Sequence, residues 1–219
     1  MRVAIVGGHG NVSMRLARLL SKRPKTEVYS IFRNSEHTKE IAETGAKPLV
    51  LSLEDDPEEK FAEIFEDKDV VYFSAGAGGK GGSERTRKVD YEGALKIYNA
   101  IELVRGTKPR LILVSAVDVR DPNIIPAHYN DADKAVAERM RKAIGAYMQA
   151  KYDADKDLAS IGRTHITSTI SRDDVAHTLA LLLDKPESAG LAIDIVGGEE
   201  KIEDALDVFI KKGETDFLG

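Results

Sequence analysis

The tightest constraint on this chain lies in its first fourteen residues. An apolar run, Val3-Ala-Ile-Val6, breaks into Gly7-Gly8-His9-Gly10 and leads into Met14-Arg-Leu16-Ala17-Arg-Leu19-Leu20, where apolar residues recur at helical spacing. This is the pattern of a buried strand, a tight turn and a helix. Glycines let the backbone approach a ligand closely, while the orphan N–H groups and dipole of the helix N-terminus attract anions. On these residues alone the turn is a phosphate-binding candidate, and an ordinary strand-to-helix connection is the competing reading.

The remaining chain repeats the alternation. Strands are expected at Glu27–Arg33, Gly45–Leu53, Asp69–Ala75 and Pro109–Ala116, with helices around Glu36–Thr44, after Pro57 and around Tyr91–Val104. Strands alternating with helices in this way predict an α/β domain, a doubly wound parallel sheet with helices on both faces. Such sheets bind ligands at the carboxyl ends of their strands. Gly7 to Gly10, Arg33, Ser52 with Leu53, Ala75 to Gly78 and Ser115 all fall at those ends. The expected cofactor contacts are therefore Gly7, Gly10, Asn11, Val12, Arg33, Ser52, Leu53, Ala75, Gly76 and Ala77.

Arg33 bears on which cofactor. NAD-preferring sites place an acid about 20 residues beyond the glycines to hold the ribose hydroxyls. Here an arginine stands 23 residues beyond Gly10, and a guanidinium suits a 2′-phosphate. NADP(H) is expected ahead of NAD(H), with an exposed arginine at a strand end as the plain alternative. The later run Gly76-Ala-Gly-Gly-Lys80-Gly-Gly82 is not a nucleotide-hydrolase phosphate loop. Ser74 occupies the first glycine position, and Gly81 replaces the Ser/Thr that would hold magnesium.

Several classes fall away on composition. The 219 residues show no linker composition and suit one domain spanning 1–219. Net charge is −5, with acids and bases intermixed, which argues against a nucleic-acid-binding surface. There is no cysteine, so disulfides, thiolate metal sites and a cysteine nucleophile are excluded. No apolar run reaches membrane-spanning length and no separate signal-like segment precedes the first strand, so a soluble, cytoplasmic protein is expected. Glu54-Asp-Asp56 reads as a solvated helix start rather than a metal site. The five histidines show no paired helical ligand spacing and are expected in scattered polar or capping roles, with no metal.

Taken together, Gly7-x-x-Gly10-x-x-Ser13, Phe73-Ser-Ala-Gly76-Ala-Gly-Gly-Lys80-Gly, Val89-Asp90-Tyr-Glu-Gly93, Leu113-Val-Ser115-Ala, Tyr147-Met-Gln-Ala-Lys151, Ile170-Ser-Arg172-Asp-Asp174-Val-Ala176 and Ile195-Val-Gly197-Gly198 resemble the short-chain dehydrogenase/reductase superfamily. The likeness is to its atypical branch of NmrA-like and flavin/biliverdin-reductase-like NAD(P)-binding proteins. Ser13 departs from the usual third glycine, a small residue in its place. The resemblance implies a Rossmann-type fold, Tyr147 as the catalytic acid/base, Lys151 as its electrostatic support and ribose contact, and Ser115 as the group that positions the carbonyl. Asp90 falls near where related enzymes often carry asparagine, which puts their proton relay in doubt. A second pair of the same spacing, Tyr152 and Lys156, is rotated by about 140° on the helix and is expected on the surface.

A charged helix is expected from about Asp131 to Ile144, the helix of Tyr147 and Lys151 runs to Leu158, and Leu191–Val196 is expected as a late strand; the pattern breaks after Leu158. Related proteins continue into a sixth strand ending near Arg-Pro-Gly, then a loop over the substrate pocket; neither occurs in this sequence, so either the chain is a shortened variant whose sheet lacks that strand or the segment has been closed up in the numbering. The function implied is an NADP(H)-dependent oxidoreductase reducing a small carbonyl or related acceptor. The alternative is an NADP(H)-binding regulatory or sensor protein of NmrA type without turnover.

Overall fold

The computed structural model describes residues 1–79, 81–116, 118–121, 123–125, 129–159, 166–167, 171–191, 193–195 and 200–213. Its centre is a five-stranded parallel sheet of order β3-β2-β1-β4-β5, formed by β1 (Arg2–Val6), β2 (Glu27–Phe32), β3 (Lys47–Val50), β4 (Val70–Phe73) and β5 (Arg110–Leu113). The chain winds outward from β1 through β2 to β3, then returns to place β4 on the other side of β1. That reversal makes the β1/β4 boundary the topological switch point, where open parallel sheets bind ligands.

Alternation along the strands divides the core into two. Val3 and Ile5 of β1 and Tyr72 of β4 face one side, with Leu16 and Leu20 of α1 (Asn11–Ser21) and Leu179 and Leu182 of α7 (Arg172–Leu182). Ala4, Val6, Val71 and Phe73 face the other, against Phe61 and Phe65 of α3 (Glu58–Phe65) and Ile97 of α5 (Gly93–Leu103). Because both faces are covered, the strands read as continuous apolar runs rather than as alternating ones. The fully buried Tyr72 hydroxyl donates to the Leu179 carbonyl at 2.8 Å, fastening the sheet to α7. Ser171 caps α7 by accepting from the Asp174 N–H at 3.1 Å.

Two helical segments differ from expectation. The helix expected near Tyr91 begins earlier, as α4 (Gly82–Thr86), and runs through one π-helical stretch, Arg87–Glu92, into α5. The charged helix expected to end at Ile144 continues as α6 (Asp131–Ala159), bent where Ile144 leaves helical geometry at φ −134°, ψ 30°. Its first half is almost entirely exposed, whereas Met148, Ala150, Lys151, Tyr152, Ala154 and Asp155 are buried. The surface placement expected for Tyr152 and Lys156 holds for Lys156 alone. Tyr152 is buried because the C-terminal half of α6 packs against α5 and the π-helical stretch with more than one face covered.

Among the described residues the main sheet ends at β5. A two-residue strand, β6 (Ile166–Thr167), pairs in parallel with β7 (Ile193–Asp194) as a separate sheet, so the late strand finds its neighbour outside the main sheet. The expected gap after Leu158 falls largely on 160–165 and 168–170, outside the described residues, as do Lys80 and the Gly197-Gly198 pair. The other helices are α2 (Thr38–Ala42) and α8 (Ile202–Lys212). No described helix is long and apolar enough to cross a membrane.

Candidate dinucleotide site

The glycine turn is built by the approach of two strands. The Gly7 and Gly8 N–H groups both donate to the Ile31 carbonyl of β2, at 3.1 and 2.8 Å, folding the turn over the end of the sheet. Gly7 has φ +85°, and a Cβ there would lie 2.7 Å from the Ala75 backbone at the end of β4. No side chain fits at that position. Gly10 is the N-cap of α1 and offers no side-chain acceptor, and the first turn carries no acidic residue. The helix dipole and its first N–H groups are thus left for an anion. Ser13, in the third-glycine position, is fully buried, as close packing there requires.

A cavity of about 570 Å³ opens at this switch point. Gly7, Gly10 and Asn11 line it from the turn, Arg33 from the end of β2, Leu53 and Glu54 from the segment after β3, and Ala75, Gly76 and Ala77 from the loop after β4. Eight of the expected cofactor contacts therefore share one space. Val12 does not line it, since its side chain packs against the core beside α1. Ser52 is also off the lining: its N–H donates to Asp56 at 2.8 Å and its hydroxyl to Asp55 at 2.7 Å, bonds that build the turn into α3.

Arg33 is held in place by a residue that the sequence pattern does not single out. Its Nη1 donates to Glu54 Oε1 at 2.7 Å, and Arg85 of α4 binds the same carboxylate through Nη2 at 3.0 Å and Nε at 3.4 Å. The hydrogen bond from Arg85, with the charges of both arginines, holds the Glu54 carboxyl below the usual range against the opposing effect of burial. On sequence alone Glu54 belongs to a solvated helix start. The bend between β3 and α3 turns it into the cavity instead, and its pairing with Arg33 and Arg85 across long sequence separations leaves no local signal.

The three residues expected to be chemical do not line the cavity, and of them Lys151, also an expected cofactor contact, reaches its wall at Ala75 from behind. Lys151 is buried, with Nζ 3.2 Å from Asp90 Oδ1 and 3.4 Å from the Ala75 carbonyl. The other Asp90 oxygen accepts from the Ala77 N–H at 2.9 Å. A Cβ on Gly76 would meet Asp90 Oδ1 at 2.9 Å, so the glycine admits the carboxylate beneath the loop. Asp90 and Lys151 thereby fix the loop that lines the cavity. The Ser115 hydroxyl donates to the fully buried Asp155, one helical turn beyond Lys151. Tyr147 lies one turn before, its ring centroid 5.8 Å from Lys151 Nζ. Burial raises the Tyr147 phenol above its ordinary value; Lys151 opposes this, and Asp90 and Asp155 reinforce it. A lysine alone would depress the phenol, so the buried carboxylates are the unforeseen part of this face.

The histidines are not all scattered. His9, from the glycine turn, and His37, after β2, stack at 3.5 Å between ring centroids and 6° between planes, and both line the cavity. His9 Nε2 lies 2.6 Å from Glu40 Oε2. Folding β1 against β2 brings these two strand ends together, which no helical spacing rule would reveal.

Comparison with known proteins agrees with this geometry. The sequence model of the NAD(P)H-binding family matches residues 7–163. The chain is 34% identical to UPF0659 protein C216.03 of Schizosaccharomyces pombe, over 97% of this chain and 96% of that protein. It is 30% identical to the uncharacterized sugar epimerase YhfK of Bacillus subtilis, over 94% and 99% respectively. A putative NAD-dependent epimerase/dehydratase from Bacillus halodurans superposes with a TM-score of 0.76 at 29% identity, covering 95% of this chain and 99% of that one. The alignment with the fission-yeast protein runs over 243 residues against 219 in this chain, so at least 24 of that protein's positions have no counterpart here. With the parallel sheet, the glycine turn at its switch point and a family match over most of its length, the chain belongs to the NAD(P)H-binding family, in the atypical branch of the short-chain dehydrogenases/reductases.

Proposed function

We propose that this protein is an NADP(H)-dependent oxidoreductase acting on a small carbonyl compound or related acceptor. The observation that carries the reading is the shared cavity in which the glycine turn, the uncapped N-terminus of α1 and Arg33 converge. Backbone donors and a helix dipole suit a pyrophosphate, and a guanidinium at the end of β2 suits a 2′-phosphate. Bound NADP(H) would supply the hydride. Tyr147 would supply the proton for the developing alkoxide, Lys151 would bias that phenol and Ser115 would orient the carbonyl.

Fluorescence titration with NADPH and NADH tests the cofactor reading. NADPH should bind more tightly, and Arg33→Ala should remove most of the difference; equal affinities in both proteins would end the preference for NADP(H). Turnover is tested with a panel of carbonyls, quinones and nucleotide sugars. The last class is included because the two Bacillus relatives carry epimerase names.

One observation favours a second reading, an NADP(H)-binding sensor. Ser115 and Lys151 already have buried carboxylate partners in Asp155 and Asp90. A sensor would bind NADPH stoichiometrically, turn over no member of the panel and change its affinity for a protein partner on binding.

A further inference from the structure

We propose that His9, His37 and Glu40 form a binding site for a divalent transition metal, with zinc the best match, at the rim of the dinucleotide cavity. The three come from separate pieces of chain: the turn between β1 and α1, the end of the 3₁₀ turn Ser35–His37, and the first turn of α2. His37 and Glu40 are three residues apart and share a helix face. The fold of β1 beside β2 brings His9 over that face, where one ligand atom from each residue lies within 4.8 Å of the other two.

Two imidazoles and one carboxylate are the protein ligands of an open zinc site, in which a fourth position is left to a non-protein group. Ligand bonds of about 2.0–2.1 Å place tetrahedral donor atoms roughly 3.4 Å apart. The 2.6 Å His9–Glu40 spacing must therefore open by roughly 0.8 Å while the wider spacings close by at most about 1.4 Å, and the two parallel rings must splay so that their lone pairs converge. The side chains have room for this, His9 being 35% and Glu40 61% exposed. His9 and His37 also line the cavity, which directs the fourth position toward the space beside the α1 N-terminus. A phosphate oxygen or water is the group that could fill it. A hydrogen-bonded His–Glu pair with a second imidazole stacked on it is the competing account of the same cluster.

Cobalt(II) titration of untagged, chelator-treated full-length protein separates the two. A four-coordinate site gives intense visible ligand-field bands at one equivalent, and zinc should displace them. His37→Ala, at the half-buried end of the 3₁₀ turn, and Glu40→Gln, on the exposed side of α2, should each weaken cobalt and zinc binding at least tenfold by calorimetry, and Glu40→Gln should leave the melting temperature unchanged. Absence of the bands, or affinities equal to wild type in both variants, would overturn the site. ADP added to the cobalt-loaded protein should change the band pattern; an unchanged spectrum would refute the cavity-facing fourth position. The NADP(H) reading does not enter this test, since a protein without NADPH affinity could still show the bands, and one with it could lack them.

Discussion

Glu54 should act as a brake on NADPH binding, and its removal should tighten the complex. Its carboxylate sits on Arg33 at 2.7 Å, where a 2′-phosphate would be recognised, with Glu54 18% and Arg33 56% exposed. A half-exposed pair of this kind is worth about 0.2–1 kcal/mol. A carboxylate and a phosphate about 5 Å apart in water-like dielectric repel by roughly 0.8 kcal/mol per unit charge. Glu54→Gln removes both costs and keeps an amide oxygen to accept from Arg85. The sum, about 1–2 kcal/mol, corresponds to NADPH binding roughly 5- to 30-fold tighter. NADH, lacking the 2′-phosphate, should change less than threefold. Calorimetric titration of both nucleotides against both proteins measures this, and combining Arg33→Ala with Glu54→Gln should abolish the gain. NADPH binding that is unchanged or weaker in Glu54→Gln would refute the reasoning, as would an equal gain for NADH.

Tyr147→Phe should lower turnover at least a hundredfold while changing the Kd for NADPH less than twofold, measured on whichever acceptor the panel identifies. Tyr72→Phe should cost about 1–2 kcal/mol in urea unfolding, since it leaves the Leu179 carbonyl buried without its partner. Burial raises the Tyr72 phenol well above its unfolded value. Its contribution is therefore complete below about pH 10 and is lost as pH rises beyond it, so Tyr72→Phe should lose less stability than wild type in that alkaline window. Gly7→Ala should lose roughly 1–3 kcal/mol, because φ +85° and the Ala75 backbone both oppose a Cβ; thermal melting together with loss of NADPH affinity checks it. Ser171→Ala should cost about 1 kcal/mol through the lost cap on α7, read from urea unfolding.

The parts of the site that could be read from sequence are those made by backbone and by strand ends. A glycine turn after an apolar run reports a phosphate-binding geometry directly, because the conformation itself excludes side chains. Arg33, Leu53 and Ala75 are legible for the same reason, since parallel topology collects strand ends at one edge. Glu54 with Arg85, Asp90 with Lys151, Ser115 with Asp155, and His9 with His37 were not, because each pair is joined by tertiary contact across 28 or more residues of sequence. Helical spacing gave Tyr147 and Lys151 a common face, but could not show that the rest of the helix would bury Tyr152 as well. The late strand was legible as a strand, yet its partner was not: among the described residues the main sheet ends at β5, and β7 pairs with the two residues of β6.

The bend at Ile144 divides α6 into two stretches that should differ in how they open. Before it, Asp131 to Ala143 is anchored chiefly by Ala137, and nearly every other side chain is bathed in solvent. Beyond it, Met148 to Asp155 is locked into the core by Lys151, Tyr152 and Ala154. A continuous helix would exchange its amide hydrogens as one cooperative unit. Here exchange should step by orders of magnitude between Ile144 and Met148, so that the first half frays and reforms while Tyr147 and Lys151 keep their places.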